Sequence, residues 1–209
     1  MMRRFIPLLL VLMFASLVAA GCGEYGKRYE GDGASAAGAS GDEKPITDEK
    51  FDEAVQKRDG CTEVEEFESE GATHTTDPDE KVEYERNPPH SGNHYQVAEE
   101  WGLYDEQRPD VSTVHNLEHG HVVITHKGLS AKQEEELLDQ ARINPYHLLV
   151  MPRKQNPKEG VYYTAWTAQM YCKQPSAAAL QYMIENWRDQ GPELFTDDQG
   201  NMGGGSKDS

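Results

Sequence analysis

The spacing of apolar and polar residues changes several times along the chain, and each change predicts an element. Lys81 to Glu85 (KVEYE) alternates with a period of two, as a short half-buried strand does. The following Asn87-Pro88-Pro89-His90-Ser91-Gly92-Asn93-His94 breaks that period; two prolines and a glycine predict a turn-rich loop. Residues 113–119 form a short helix of about two turns if Ser112 caps it and Gly120 ends it. Val122 to Thr125 (VVIT) reads as a buried strand. Ser130 then caps a helix with Gln133 at the capping-box position. Leu137, Leu138 and Ala141 give this helix an apolar side, and Pro145 stops it. His147 to Met151 (HLLVM) and Val161 to Trp166 (VYYTAW) predict two more strands. Residues 176–189 predict a second long helix with Leu180, Met183, Ile184 and Trp187 on one face, ended by Gly191-Pro192. Strands and helices are intermixed. The expected fold is α+β: a single domain with a small mixed or mainly antiparallel sheet and two main helices.

The two ends do not share this patterning. Arg3 and Arg4 precede a 16-residue apolar run, Phe5 to Ala20, and Ala19-Ala20-Gly21 lead into Cys22. A positive start, an apolar stretch and small residues make the layout of a secretory signal. The run is short of the about 20 residues of a stable membrane span. The small residues before Cys22 resemble a lipobox, although Ala19 stands where leucine is usual. On that reading residues 1–21 are a lipoprotein signal peptide and Cys22 carries lipid. A plain cleaved signal and an uncleaved anchor are the alternatives, and all three place the domain outside the cytoplasm. Residues 22–45 are Gly, Ala, Ser and charge, the composition of a disordered tether, and 196–209 are a similar tail. Residues 46–195 are long enough for one domain with a sizeable core. The expected location is the cell membrane, lipid-anchored on its extracytoplasmic face.

Charge and cysteine content narrow the function classes. The formal net charge is −17. Nucleic-acid binding needs a basic footprint, and attachment to anionic lipid by charge alone needs one too. No nucleic acid is therefore expected as a partner, and the membrane is reached only through the N-terminal lipid. With Cys22 acylated, Cys61 and Cys172 remain. One disulfide is the economical pairing in an oxidising compartment, stabilising by about 4 kcal/mol in the chain-entropy model. The alternative makes Cys172 a thiolate ligand, against which stands the lack of C-x-x-C spacing.

Histidine brings the candidate chemistry. Six of the eight lie between residues 90 and 126: His90, His94, His115, His119, His121 and His126. Neutral imidazole is the commonest nitrogen ligand of zinc and copper. On a helix over 113–119, His115 and His119 are at i and i+4 and point to one side. Glu118 is near the same face, as an oxygen ligand, an acceptor orienting a ring, or a general base. The NPPHSGNHY loop offers His90 and His94 to complete the set. His121 and His126 fall on opposite faces of the next strand and stay outside this proposal, and His147 is read as structural. If 114–126 were instead one extended strand, its histidines could share a face and simply bond to backbone groups.

His115-Asn116-Leu117-Glu118-His119 also fits the H-x-x-E-H pattern of inverzincin metallopeptidases. Those motifs lie on a long helix in longer domains, whereas Gly120 and VVIT follow at once here. Glu193 is at a plausible distance for their third ligand, but it lies in a Gly-Pro-Glu turn.

Taken together, Val82-Glu83-Tyr84, Pro88-Pro89-x-Ser91-Gly92-x-His94-Tyr95, Trp101-Gly102-x-Tyr104 and Val114-His115-Asn116-Leu117-Glu118-His119-Gly120 resemble an uncharacterised bacterial extracytoplasmic family, domain of unknown function 3105. Thr164-Ala165-Trp166 and Gly191-Pro192-Glu193 fit its C-terminal signature. The resemblance covers about residues 60 to 195 and implies fold membership and export, with no established reaction. It puts His74, His94, His115, His119 and Glu118 at motif positions and leaves His90 and His121 outside them. The third ligand expected beside His115 and His119 therefore moves from His90 to His94. The resemblance also implies a matched Cys61–Cys172 pair.

The leading expectation is a binding module holding a transition metal ion, copper or zinc, through His94, His115 and His119, with Glu118 or His74 nearby. Met170 close to the cluster would tilt the choice to copper. The alternatives are a metal-dependent hydrolase using Glu118 and a metal-free interaction domain with structural histidines.

Overall fold

A computed structural model describes residue 53 and residues 57–193. The expected signal peptide, Cys22 with its expected lipid, and the expected tether and tail lie outside these residues. Among the described residues no helix is long and apolar enough to cross a membrane.

The strands are β1 (Glu65–Glu66), β2 (His74–Thr75), β3 (His94–Tyr95), β4 (Gly102–Leu103), β5 (Val122–Lys127), β6 (Leu148–Pro152), β7 (Gly160–Ala165) and β8 (Ala168–Cys172). Beyond residue 100 the helices among the described residues are α1 (Asp110–Glu118), α2 (Ala131–Ile143) and α3 (Ala177–Trp187). Six strands form one mixed sheet in the order β1-β8-β7-β5-β6-β4, and β2 and β3 form a second, parallel pair. In the large sheet β1, β8, β7 and β5 are successively antiparallel, while β5, β6 and β4 are parallel. The parallel β5–β6 pair requires a crossover, and α2 supplies it. The fold is α+β, as the patterning predicts.

Helices cover both faces of the sheet centre, which is why VVIT and LLVM read as continuous apolar runs. Val122, Ile124, Leu148 and Val150 face Leu137, Leu138 and Ala141 of α2 and Leu180 and Met183 of α3. The intervening Val123, Leu149 and Met151 pack with Tyr104, Trp166 and Leu117 of α1. Strand alternation thus divides one run between two cores. Eight of the nine residues of α1 are buried, so it is enclosed on all sides rather than amphipathic.

Several elements depart from the sequence reading. Ser112 does not cap α1. The helix starts at Asp110 behind Pro109, whose side chain can cap nothing. Arg153 grips the Asp110 carboxylate through two bonds of 2.9 and 2.6 Å, so a contact 43 residues away fixes this helix start. Lys81 to Glu85 is not a strand, although its burial alternates as expected. Its groups bond to loops instead: the Tyr84 hydroxyl donates to Asn93 O and the Glu85 N–H to Glu70 Oε2. The Ser130–Gln133 capping box is present at α2.

Cys61 and Cys172 form a disulfide, closing 111 residues of sequence. This settles their pairing and removes Cys172 from any metal set. Met170 lies in the core with Cys172 and Met183. The core beside α1 is the other one, so the tilt to copper that rested on Met170 is withdrawn.

Candidate metal centre

Two short elements and one helix build the cluster. The parallel register of β2 and β3 pairs His74 with His94, so neighbouring backbones carry both rings on one side. From α1, His115 and Glu118 at i and i+3 face them. One donor atom from each of His74, His94, His115 and Glu118 lies within 4.8 Å of the other three. Glu118 Oε2 is 2.9 Å from His94 Nε2 and 3.0 Å from His74 Nε2. The His74 ring centroid is 4.7 Å from those of both His94 and His115. Trp166 closes one side, edge-on to His94 at 6.4 Å.

Backbone carbonyls set the tautomers of three rings. A carbonyl only accepts, so a ring nitrogen at hydrogen-bond distance from it carries the hydrogen. His94 Nδ1 donates to Gly92 O at 2.7 Å, and His115 Nδ1 to Tyr95 O at 2.8 Å. His119 Nδ1 donates to Glu193 O at 2.7 Å. In its neutral form each of these rings presents the bare Nε2 lone pair, the form that binds metals. These lone pairs point at other acceptors: His94 Nε2 at the Glu118 carboxylate, and His115 Nε2 at His119 Nε2, 2.7 Å away. Acceptors face each other without repulsion only if a proton or a cation stands between them. Burial first, and then the neighbouring His119, His94 and His74, depress the His115 pKa to about 4. Burial also lowers that of His119. Near neutral pH a proton is therefore a poor occupant of the His115–His119 contact. A metal ion answers the same need.

Residues 75–200 match the family model described as Protein of unknown function (DUF3105). The chain belongs to this family. No curated protein and no solved structure matches it.

In this DUF3105 chain the sequence-derived set is thus brought together, with one shift of emphasis. His74 joins His94, His115 and Glu118 directly, while His119 adjoins the group through His115. His90 turns away: its buried ring stacks on Phe67 and bonds Ser91 Oγ at 2.9 Å. His147 is structural, its Nδ1 2.6 Å from Asp189 Oδ1 and its ring stacked between Tyr146 and His121. Asn116 also has a structural task. Its amide bonds both backbone groups of Glu99 and donates to His121 Nδ1. The carbonyls of Gly92, Tyr95 and Glu193 had no signal in the sequence, because every residue has one.

The end of α1 explains two more motif residues. Gly120 has φ +80°, a left-handed turn that favours glycine. Residues 189–193 then cross the helix end as a strap. Asp189 N–H donates to Gly120 O and Glu193 N–H to Glu118 O. A Cβ on Gly191 would lie 2.0 Å from Glu118 O, so only glycine permits this approach. The strap delivers the Glu193 carbonyl to His119.

The H-x-x-E-H comparison weakens at this point. The helix ends at Glu118 after nine residues, with β5 beginning at Val122. Glu118 is engaged by two imidazoles, and Glu193 approaches through its backbone carbonyl.

Proposed function

We propose that this protein binds one divalent transition-metal ion through His74, His94, His115 and Glu118, with His119 beside them. It does so on the outer face of a cell membrane, held by lipid on Cys22. The observation that carries the metal reading is the convergence of donors: rings whose Nδ1–H groups are fixed on backbone carbonyls aim their Nε2 atoms at a carboxylate and at each other. Three imidazoles and a carboxylate suit zinc, copper(II) and nickel(II). The disulfide supports an oxidising compartment. The role is a binding module for storage, delivery or local structure. The hydrolase reading needs Glu118 free to act as a base, whereas its place among the converging donors makes it a metal ligand.

The test is metal titration of the purified domain, followed by elemental analysis, with circular dichroism as a check on folding. One ion per chain is expected. His115→Ala should lose most of the affinity, while His126→Ala, which alters no donor, should keep it. Equal affinity in wild type and His115→Ala, or no binding by wild type, refutes the proposal.

A further inference from the structure

His74 is unlike the other donors. Its side chain is 39% exposed, against 5% for Glu118 and 0% for His94. His94 and His115 are anchored through Nδ1 to backbone carbonyls, and Glu118 is fixed on an enclosed helix. His74 bonds within the cluster through Nε2, with Glu118. Its strand is two residues long and is held by β3, through His94 N–H to Thr73 O and Gln96 N–H to Thr75 O. An exposed acidic turn follows directly. Asp79 N–H bonds the Asp77 carboxylate, and Thr75 Oγ1 bonds Glu80. Asp77, Asp79 and Glu80 are all exposed and follow His74 within six residues, so this edge carries negative charge that raises the local cation concentration.

We infer that the coordination position held by His74 is the exchangeable one. It is where the ion enters and leaves, and where an outside nitrogen donor of the imidazole class takes His74's place. This rests on the metal reading above. The three buried donors, His94, His115 and Glu118, keep hold of the ion while the fourth bond is replaced. The step is a ligand substitution: a bond from the ion to the outside nitrogen forms, the bond to His74 Nε2 breaks, and no electron changes owner. A partner fitted to this edge presents a histidine side chain and tolerates an acidic neighbourhood.

Imidazole itself is the probe. Zinc affinity is measured by competition with a chromophoric chelator on the whole folded domain, with and without millimolar imidazole. His74→Ala removes an exposed ring from a surface strand and should fold. It should bind one zinc at least about 10-fold more weakly, since ligand loss exceeds the effect of losing an outer partner. Imidazole should restore most of that loss. His115→Ala should not be restored by the same imidazole, because its position is buried. Release of zinc to excess chelator should be faster from His74→Ala than from wild type. Substituting Asp77, Asp79 and Glu80 by their amides should slow zinc uptake and reduce its salt dependence. Failure of imidazole to restore His74→Ala, or equal restoration of His115→Ala, overturns the inference and leaves the metal reading standing. Absence of zinc binding by wild type overturns both.

Discussion

Gly191→Ala tests how the strap and the cluster are joined. The added methyl would stand 2.0 Å from Glu118 O and 2.4 Å from Gly120 N, both backbone atoms. These atoms end an enclosed helix and cannot move aside cheaply, so the strap must lift. Lifting it breaks Asp189 N–H to Gly120 O, Glu193 N–H to Glu118 O and His119 Nδ1–H to Glu193 O. At about 0.5–1.5 kcal/mol each, their loss costs roughly 1.5–4.5 kcal/mol. The smaller entropy of an unfolded alanine offsets about 0.4–1 kcal/mol, so a net loss of about 2–3 kcal/mol is expected. Urea unfolding of the metal-free protein, followed by circular dichroism, reads this as a lower midpoint at unchanged slope. Zinc affinity should also fall, by about 10-fold, because His119 loses the carbonyl that fixes its ring. A variant within about 0.5 kcal/mol of wild type would mean that the strap is not seated on the helix end. The stated origin of the His119 tautomer would then be wrong.

Acid should destabilise the metal-free fold through its buried histidines. Burial, helped by His147, His119 and His115, depresses His121 to about 3. The unfolded chain then binds the extra proton first, so stability is full above the ordinary histidine value of about 6.5 and declines as pH falls from there to about 3. A flat unfolding free energy across that window would contradict the burial of neutral imidazole. Replacing Cys61 and Cys172 together with alanine should cost about 4 to 5 kcal/mol, from reopening a long closure; peptide mapping without reductant should recover the linked pair from wild type. If the proposed anchor is right, Cys22→Ser should leave the protein unlipidated and either released or unprocessed, and unchanged lipid labelling in that variant would sink it.

Patterning made the centre of the fold legible. Continuous apolar runs marked β5 and β6, and the Ser130–Gln133 pair marked the start of α2 to the residue. It failed where an element depends on distant partners. Asp110 starts α1 because Arg153 holds it, and Lys81 to Glu85 alternates in burial without a neighbouring strand to pair with. β8 carries mixed polar and apolar residues and is set by β7 and β1 on either side. At the site, the i, i+3, i+4 spacing of His115, Glu118 and His119 was readable because it lies within one helix and its C-cap. His74 is 20 residues from its strand partner His94, and only the resemblance to a family pointed to it. His90, four residues from His94, looked an equal candidate. Its ring is turned the other way by Ser91 and Phe67, neither of which carries a metal signal.

Anomalous diffraction from a crystal grown with zinc, measured on both sides of the zinc absorption edge, tests the central claim most directly. The account predicts one strong peak among His74 Nε2, His94 Nε2, His115 Nε2 and Glu118 Oε2, at about 2.0–2.2 Å from its ligand atoms. Zinc found only at surface carboxylates, with the four side chains arranged around no peak, would contradict it.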